Sequence, residues 1–114
     1  MKVAIIGSRQ LTNIQIEKYL PDKTDEIVSG GAKGVDSTAS EYARKNGLAL
    51  VEMIPQYERY GRAAPLKRNE EIVNYADTVI AFWDGKSKGT KYVINYAEKV
   101  GKPCLVIIEE NEVK

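Results

Sequence analysis

The sequence predicts an α/β fold, a Rossmann-like three-layer α/β/α domain with a mostly parallel five-stranded sheet in the order 3-2-1-4-5. Two observations predict it. Five short apolar runs alternate with helical patterns, and the runs are rich in valine, isoleucine and leucine without regular alternation with polar residues. Strands of a parallel sheet have this composition because helices cover both faces. Right-handed crossovers then place the first and fourth strands side by side, where the direction of the strand order reverses.

Each apolar run has the length of a strand. The five predicted strands cover residues 3–6, 26–28, 48–54, 78–82 and 104–108. Cys104 begins the fifth run and is the single cysteine of a chain that contains no histidine. It therefore lacks the partner of a Cys-His nucleophilic pair, and we expect a thiol packed in the core.

Helical periodicity is clearest before the fifth strand, where one apolar stripe contains Val93, Ile94, Ala97 and Val100. This helix is predicted to end at Gly101, because glycine readily takes the left-handed conformation of a helix terminus. Two further helices are predicted over residues 36–46 and 66–75. A shorter helix is predicted over residues 13–20, where Pro21 stops it.

Composition predicts one globular domain over residues 1–110, with a frayed tail at 111–114. Hydrophobic residues make up 43% and charged residues 29%, which excludes the composition of a disordered chain. The formal net charge of +1 means that any anion site must be local. The amino-terminal apolar run is too short for a signal sequence, and no run approaches the roughly 20 apolar residues that span a bilayer. We therefore expect a cytoplasmic protein that binds no membrane and, lacking histidine, no metal.

Three loops that follow strands are rich in glycine, hydroxyl or basic residues. The loops after the first, second and fourth strands should converge at the crevice where the strand order reverses. Glycine lets the main chain approach a ligand, and the N–H groups at a helix start favour phosphate. The candidate nucleotide- or phosphate-binding residues are Gly7, Ser8 and Arg9, then Ser29, Gly30, Gly31, Ala32, Gly34, Val35 and Asp36, and finally Asp84, Ser87, Gly89 and Thr90.

Several of these residues have a second interpretation. Glycine after a strand often only permits a tight turn, and Gly30-x-x-x-Gly34 matches neither the dinucleotide fingerprint nor a P-loop. Asp36 is interpreted mainly as the N-cap of its helix. Asp84 either stabilises its turn or accepts a hydrogen bond from a ribose hydroxyl. Thr90 is expected to cap its helix, although the same hydroxyl could also reach a phosphate.

Two arginines are candidate side-chain ligands of a phosphate. Arg9 and Arg68 can bind phosphate oxygens in a bidentate manner. Other basic residues nearby are expected to lie on an exposed face: Arg59, Arg62 and Lys67. Trp83 raises a hypothesis of base stacking, whereas Tyr92 and Tyr96 have the helical spacing of packing or subunit contacts.

Four segments, in register, resemble the SLOG superfamily: Gly7-Ser8-Arg9, the run from Ser29 to Asp36, Arg68-Asn69, and Ser87-Lys88-Gly89-Thr90. This superfamily takes its name from the Smf/DprA DNA-processing proteins and the LOG cytokinin-activating hydrolases. Through Ala63-Ala64, Arg68-Asn69 and residues 80–85, the chain looks most like the small stand-alone YspA-like proteins. The resemblance covers nearly the whole chain. It implies a Rossmann-like fold that binds nucleotides or their derivatives, with Arg68 and Asn69 in the site.

Members that resemble LOG are enzymes that release a base from a nucleoside monophosphate. Their Gly-Gly-x-Gly-Thr loop is followed by a glutamate on the next helical turn, whereas here the matching loop is followed by Lys91-Tyr92-Val93. Cleavage of an N-glycosidic bond has an oxocarbenium-like transition state, which a nearby carboxylate can stabilise. Other carboxylates are present, but none is at the matched position: Asp36, Glu70, Glu71 and Asp84. No catalytic residue is therefore assigned.

The leading functional hypothesis is the binding or sensing of a nucleotide-derived ligand such as AMP, ADP-ribose or NAD, without a required cofactor. One alternative is a nucleoside 5′-monophosphate phosphoribohydrolase, which would hydrolyse the N-glycosidic bond. Another is DprA-like binding of single-stranded DNA, which the balanced charge disfavours because such proteins use a basic groove. A purely structural or interaction protein is a further alternative. Since proteins of the superfamily that the chain resembles commonly form dimers, we expect a homodimer.

Overall fold

The computed structural model describes residues 1–11, 14–31 and 34–109. Five parallel strands form one sheet in the order β3-β2-β1-β4-β5, which confirms the predicted fold class and strand order. β1 pairs with β2 on one side and with β4 on the other. The reversal point therefore lies between β1 and β4. The strands are β1 Lys2–Gly7, β2 Glu26–Ser29, β3 Ala49–Glu52, β4 Thr78–Trp83 and β5 Cys104–Ile108.

Helices cover both faces of the sheet. On one face, α1 packs with a 3-10 turn at Ile16–Lys18 around a core that includes Phe82. On the other face, α3 and α4 pack around a core that includes Ala4 and Val28. The helices are α1 Val35–Lys45, α2 Tyr57–Tyr60, α3 Ala64–Tyr75 and α4 Lys88–Val100, and a second 3-10 turn covers Gly61–Ala63. No helix among the described residues has the length and apolar character needed to cross a bilayer.

Two helices differ from their predicted bounds: α1 covers Val35–Lys45 rather than 36–46, and α3 starts early. The third helix begins at Ala64, two residues early, because Pro65 fits the first turn, where its missing N–H costs no helical hydrogen bond. α4 ends before Gly101, which takes φ 74°, as predicted. Val100, however, is 45% exposed, so its assignment to the buried stripe is wrong. As the last residue of α4, it lies beyond the contact that Val93 and Ala97 make with the sheet.

The predicted helix over residues 13–20 is also wrong. Only the single turn Ile16–Lys18 forms, and residue 13 lies outside the described residues. A segment this short cannot offset the cost of starting a helix, and burial of Ile14 and Ile16 dominates instead. The predicted tail at 111–114 lies outside the described residues as well. Cys104 is half-buried rather than fully enclosed, and burial raises the pKa of its thiol.

Candidate functional site

A cleft of about 510 Å³ opens at the carboxyl ends of β1 and β4. This is the reversal point of the strand order, where open α/β sheets bind their ligands. The volume lies within the range of small-molecule sites, about 300–1,000 Å³. Of the predicted site residues, the cleft is lined by Gly7, Ser8, Arg9, Gly30, Asp36, Arg68, Asn69, Asp84, Ser87, Gly89 and Thr90.

Four other predicted site residues do not line the cleft: Ser29, Gly31, Gly34 and Val35. They build the loop instead. The buried Ser29 hydroxyl donates to the main-chain oxygen of Asp36 at 3.3 Å and accepts from the N–H of Gly31 at 3.3 Å. Val35 is fully buried against Gly7. Ala32 was also predicted to bind ligand and lies outside the described residues.

The floor of the cleft is the junction of β1 with β4. The N–H of Ser8 donates to the oxygen of Phe82 at 3.0 Å, and the N–H of Asp84 donates to Ser8 Oγ at 3.2 Å. A Cβ atom on Gly7 would lie 2.4 Å from the Phe82 oxygen and 2.7 Å from a methyl group of Val35. Gly7 is therefore needed for close packing below the cleft, and Ser8 joins the two strand ends.

One end of the cleft is formed by the start of α4. Ser87 is the N-cap, and its Oγ accepts from the N–H of Thr90 at 3.4 Å and from the Thr90 hydroxyl at 3.2 Å. The prediction that Thr90 caps this helix is therefore wrong, because Ser87 occupies that position. A Cβ atom added to Gly89 would meet nothing within 4 Å, so this residue borders open space. First-turn N–H groups and the positive end of the helix dipole favour an anion here.

Asp84 stabilises the turn that leads into α4. Its Oδ1 accepts from the N–H of Ser87 and the N–H of Lys86, both at 2.8 Å. This confirms the turn-stabilising interpretation. These two main-chain hydrogen bonds lower the pKa of Asp84 from its ordinary value, because they favour the charged carboxylate.

The lowered pKa of Asp84 predicts how acid affects stability. A depressed carboxyl pKa stabilises the folded state above the unfolded-state pKa, and this contribution is lost as the pH falls through the folded-state pKa. We therefore expect Asp84→Asn to lower the free energy of unfolding at neutral pH and to match the wild type in strong acid. Urea titrations at several pH values measure the difference. Asp22→Asn, at an exposed turn, is the control, and a pH-independent deficit in Asp84→Asn would contradict the assignment.

The opposite end of the cleft holds a charged cluster from α1 and α3. Arg68 Nη1 donates to the Gly30 oxygen at 2.8 Å, and Arg68 Nε donates to Asn69 Oδ1 at 2.9 Å. A Cβ atom on Gly30 would lie 2.8 Å from Arg68 Nη1 and 2.9 Å from Asp36 Oδ2, so a larger residue would displace the ends of these two side chains. The arginine thus fixes the loop after β2 against α3.

The prediction that Asp36 is an N-cap is wrong. α1 begins at Val35 with Gly34 in the cap position, and no side chain caps it. Asp36 lies inside the first turn, is buried, and interacts with Arg68. Burial lowers the pKa of Arg68 from its ordinary value, while the Asp36 carboxylate acts in the opposite direction. Both charges are therefore partly offset within the cleft wall.

The remaining cations divide as the sequence predicts. Arg9 lines the cleft, as does the exposed Lys86, which the predictions left out. Three basic residues are exposed and outside the lining: Arg59, Arg62 and Lys67. Among the described lining residues, Arg9 and Lys86 are the basic side chains other than Arg68, whose charge Asp36 partly offsets.

The aromatic residues belong to the framework. Trp83 donates from Nε1 to the Ser87 oxygen at 3.0 Å and is not part of the cleft lining, which argues against base stacking on it. The hydroxyl of Tyr92 donates to Glu70, and that of Tyr96 donates to Asn74 at 3.1 Å. These bonds join α4 to α3, which confirms the packing interpretation.

Sequence reasoning missed the apolar wall of the cleft and one amide. These residues are Ile6, Gln10, Pro65, Leu66, Ile72 and Val93. Only their position in the fold could have identified them. Each lies at a strand end, in a neighbouring loop, or on the helix faces that meet above β1 and β4. An apolar wall beside polar ends is the usual composition of a small-molecule site.

Comparison with known proteins adds one relative. The chain is 34% identical over 85 residues, covering 69% of this chain and 68% of the relative, to the Gene 61 protein of Mycobacterium phage D29. No family model matches the chain. No solved structure matches it either.

Proposed function

Since the chain belongs to the family of the Gene 61 protein of Mycobacterium phage D29, a name that states no activity, we propose its function from the site: it binds a nucleotide or nucleotide-derived ligand in the cleft between β1 and β4. The ligand is of the AMP, ADP-ribose or NAD type, and binding requires no further cofactor. The observation that carries the proposal is the cleft itself, where loops from three strands and the start of α4 meet. The resemblance to the SLOG superfamily forms part of the proposal.

The division of the cleft suits a phosphorylated ligand with a flat, partly apolar group. At one end, the start of α4 and Lys86 offer hydrogen-bond donors and positive charge to a phosphoryl group. Along the side, the exposed Leu66 offers an apolar surface for a base, and the buried Ile72 and Val93 border the cleft with little exposed area. At the other end, Asn69 and the Asp36–Arg68 pair can exchange hydrogen bonds with hydroxyl or amide groups.

The carboxylates in the lining of the cleft favour binding of the ligand without its hydrolysis. The glutamate expected of a LOG-like phosphoribohydrolase is absent, because Lys91-Tyr92-Val93 follow the α4 loop. Among the described lining residues, Asp36 interacts with Arg68 and Asp84 accepts two main-chain hydrogen bonds. Neither occupies the position of the LOG glutamate, which would follow the loop at the start of α4. We also propose that the protein acts in the cytoplasm as a homodimer.

A nucleotide panel tests this proposal directly. The purified protein is heated with AMP, ADP-ribose, NAD, a single-stranded oligonucleotide or inorganic phosphate, and the ligands are chromatographed afterwards. A ligand present at 100 times its dissociation constant adds about 2.7 kcal/mol, which corresponds to a rise of about 10 °C in the melting temperature for a domain of this size. We expect such a rise with a nucleotide recovered intact.

The other outcomes of the panel would support an alternative function or contradict the proposal. Free base and ribose 5-phosphate that accumulate with time would establish the phosphoribohydrolase instead. Stabilisation by the oligonucleotide alone, lost steeply with added salt, would establish single-stranded DNA binding. No stabilisation by any of these compounds would overturn the proposal.

A further inference from the structure

Exposed apolar side chains are concentrated at one edge of the sheet. Of the nine large ones found among the described residues, four lie on β5 and at the end of the helix before it. We call these four the β5 patch: Val100, Leu105, Val106 and Ile108, exposed by 45%, 48%, 37% and 58%. An edge strand with apolar side chains and unpaired main-chain groups is a template for pairing with another strand.

The main-chain groups of β5 point alternately toward and away from β4. The N–H of Val79 donates to the Pro103 oxygen at 2.9 Å, and the N–H of Glu109 donates to the Trp83 oxygen at 2.9 Å. These bonds lie at the two ends of the strand pair. Because the direction alternates along a strand, the N–H and C=O groups of Cys104, Val106 and Ile108 face outward. The outward set is symmetric about Val106.

We propose that β5 pairs antiparallel with β5 of a second copy of this chain, around a twofold axis at Val106. In this arrangement Val106 faces its own counterpart and Cys104 faces Ile108 of the other copy. Each facing pair exchanges two main-chain hydrogen bonds, and the two sheets become one continuous sheet. The inference rests on the proposed homodimer and is independent of the ligand in the cleft.

Charge complementarity selects the antiparallel direction. Residues 103–108 carry no charge, whereas Lys102 precedes them and Glu109 follows them. Antiparallel pairing brings the basic end of each strand next to the acidic end of the other, and parallel pairing would place like charges together. Lys102 keeps its hydrogen bond to the Ala76 oxygen, so the complementarity is between strand ends rather than a direct ion pair.

The β5 patch distinguishes this edge of the sheet from the opposite edge. The other edge strand, β3, has no large exposed apolar side chain, and it ends in Glu52, whose carboxylate lies 3.7 Å from Arg44. The two edges therefore differ in the property that favours self-pairing.

Cross-linking tests the proposed axis. In a hydrogen-bonded antiparallel pair the facing Cα atoms are about 5.5 Å apart, which suits a disulfide. We expect Val106→Cys, made in a Cys104→Ser background, to form a covalent dimer on mild oxidation, seen on a non-reducing gel. Ala49→Cys on β3, in the same background, is the matched control and should remain monomeric on the gel. Equal cross-linking of both variants would overturn the interface.

Sedimentation velocity supplies an independent readout. Val106→Lys places two ammonium groups opposite each other at the axis, so we expect the dimer dissociation constant to rise by more than about tenfold. Circular dichroism verifies that the variant is folded; if it is not, the cross-linking result decides. A wild-type protein that sediments as a monomer even at millimolar concentration would overturn both the dimer and its interface. A dimer that neither cross-links nor responds to the lysine would retain the homodimer and overturn only the β5 interface.

Discussion

Gly89→Asp is expected to abolish nucleotide binding while leaving the free protein as stable as the wild type or slightly more so. Gly89 lines the cleft in the first turn of α4, and a side chain there meets no atom of the protein within 4 Å. A carboxylate next to a bound phosphoryl group costs roughly 4 kcal/mol at a separation of 4 Å near a protein surface. We therefore expect affinity to fall by more than about 100-fold.

The melting temperature of the unliganded Gly89→Asp variant shows whether a loss of binding is due to a loss of folding. Replacing glycine inside a helix removes an entropic cost of about 0.5–1 kcal/mol, and an acidic residue in the first turn interacts favourably with the helix dipole. The melting temperature of the unliganded variant measures this effect. Asn95→Asp, exposed on the same helix and outside the cleft lining, adds the same charge and should bind like the wild type. Wild-type affinity in Gly89→Asp would show that the ligand binds elsewhere.

Gly34→Ala is expected to lower the free energy of unfolding by about 3 kcal/mol or more. Gly34 has φ 74° and ψ −122°, a conformation that disfavours any residue with a Cβ atom. That Cβ would also lie 2.4 Å from the main-chain oxygen of Arg9. Urea unfolding measures the loss.

Gly47→Ala is the matched control for the Gly34 prediction. Gly47 has φ 65°, but an added Cβ meets nothing within 4 Å, so only the conformational strain remains. We expect a loss of about 1 kcal/mol there. Equal losses at both positions would mean that the contact between the loop after β1 and the start of α1 contributes little to stability.

The position of the site could be predicted from the sequence because it depends on topology. Alternating apolar runs and helical patterns predict a parallel sheet, and a parallel sheet in this order has its crevice between β1 and β4. The glycine-containing loops therefore had to meet at that edge. Local residue types were sufficient to predict the position of the site, because in a parallel sheet every loop that follows a strand lies at the same edge.

The direction of individual side chains could not be predicted in the same way. Aspartate is a residue type that is typical of an N-cap. Here, however, Gly34 takes the cap position, α1 begins at Val35, and Asp36 interacts with Arg68. Thr90 has the same ambiguity, and Ser87 takes the cap. The outcome at Asp36 depends on contacts between segments distant in sequence, such as that of Gly34 with Arg9. Ser87 and Thr90 are only three residues apart, and the sequence allows either hydroxyl to take the cap. The apolar wall was missed because its members resemble ordinary core residues.

The amide spectrum of isotope-labelled protein, titrated with the nucleotide that stabilises it most, tests the central claim most directly. If the cleft between β1 and β4 binds the nucleotide, the largest shifts will fall on the N–H signals of Ser8, Arg68 and Gly89, and the signals of β3 and β5 will barely move. Shifts concentrated on either edge strand, or a spectrum unchanged by saturating nucleotide, would contradict it.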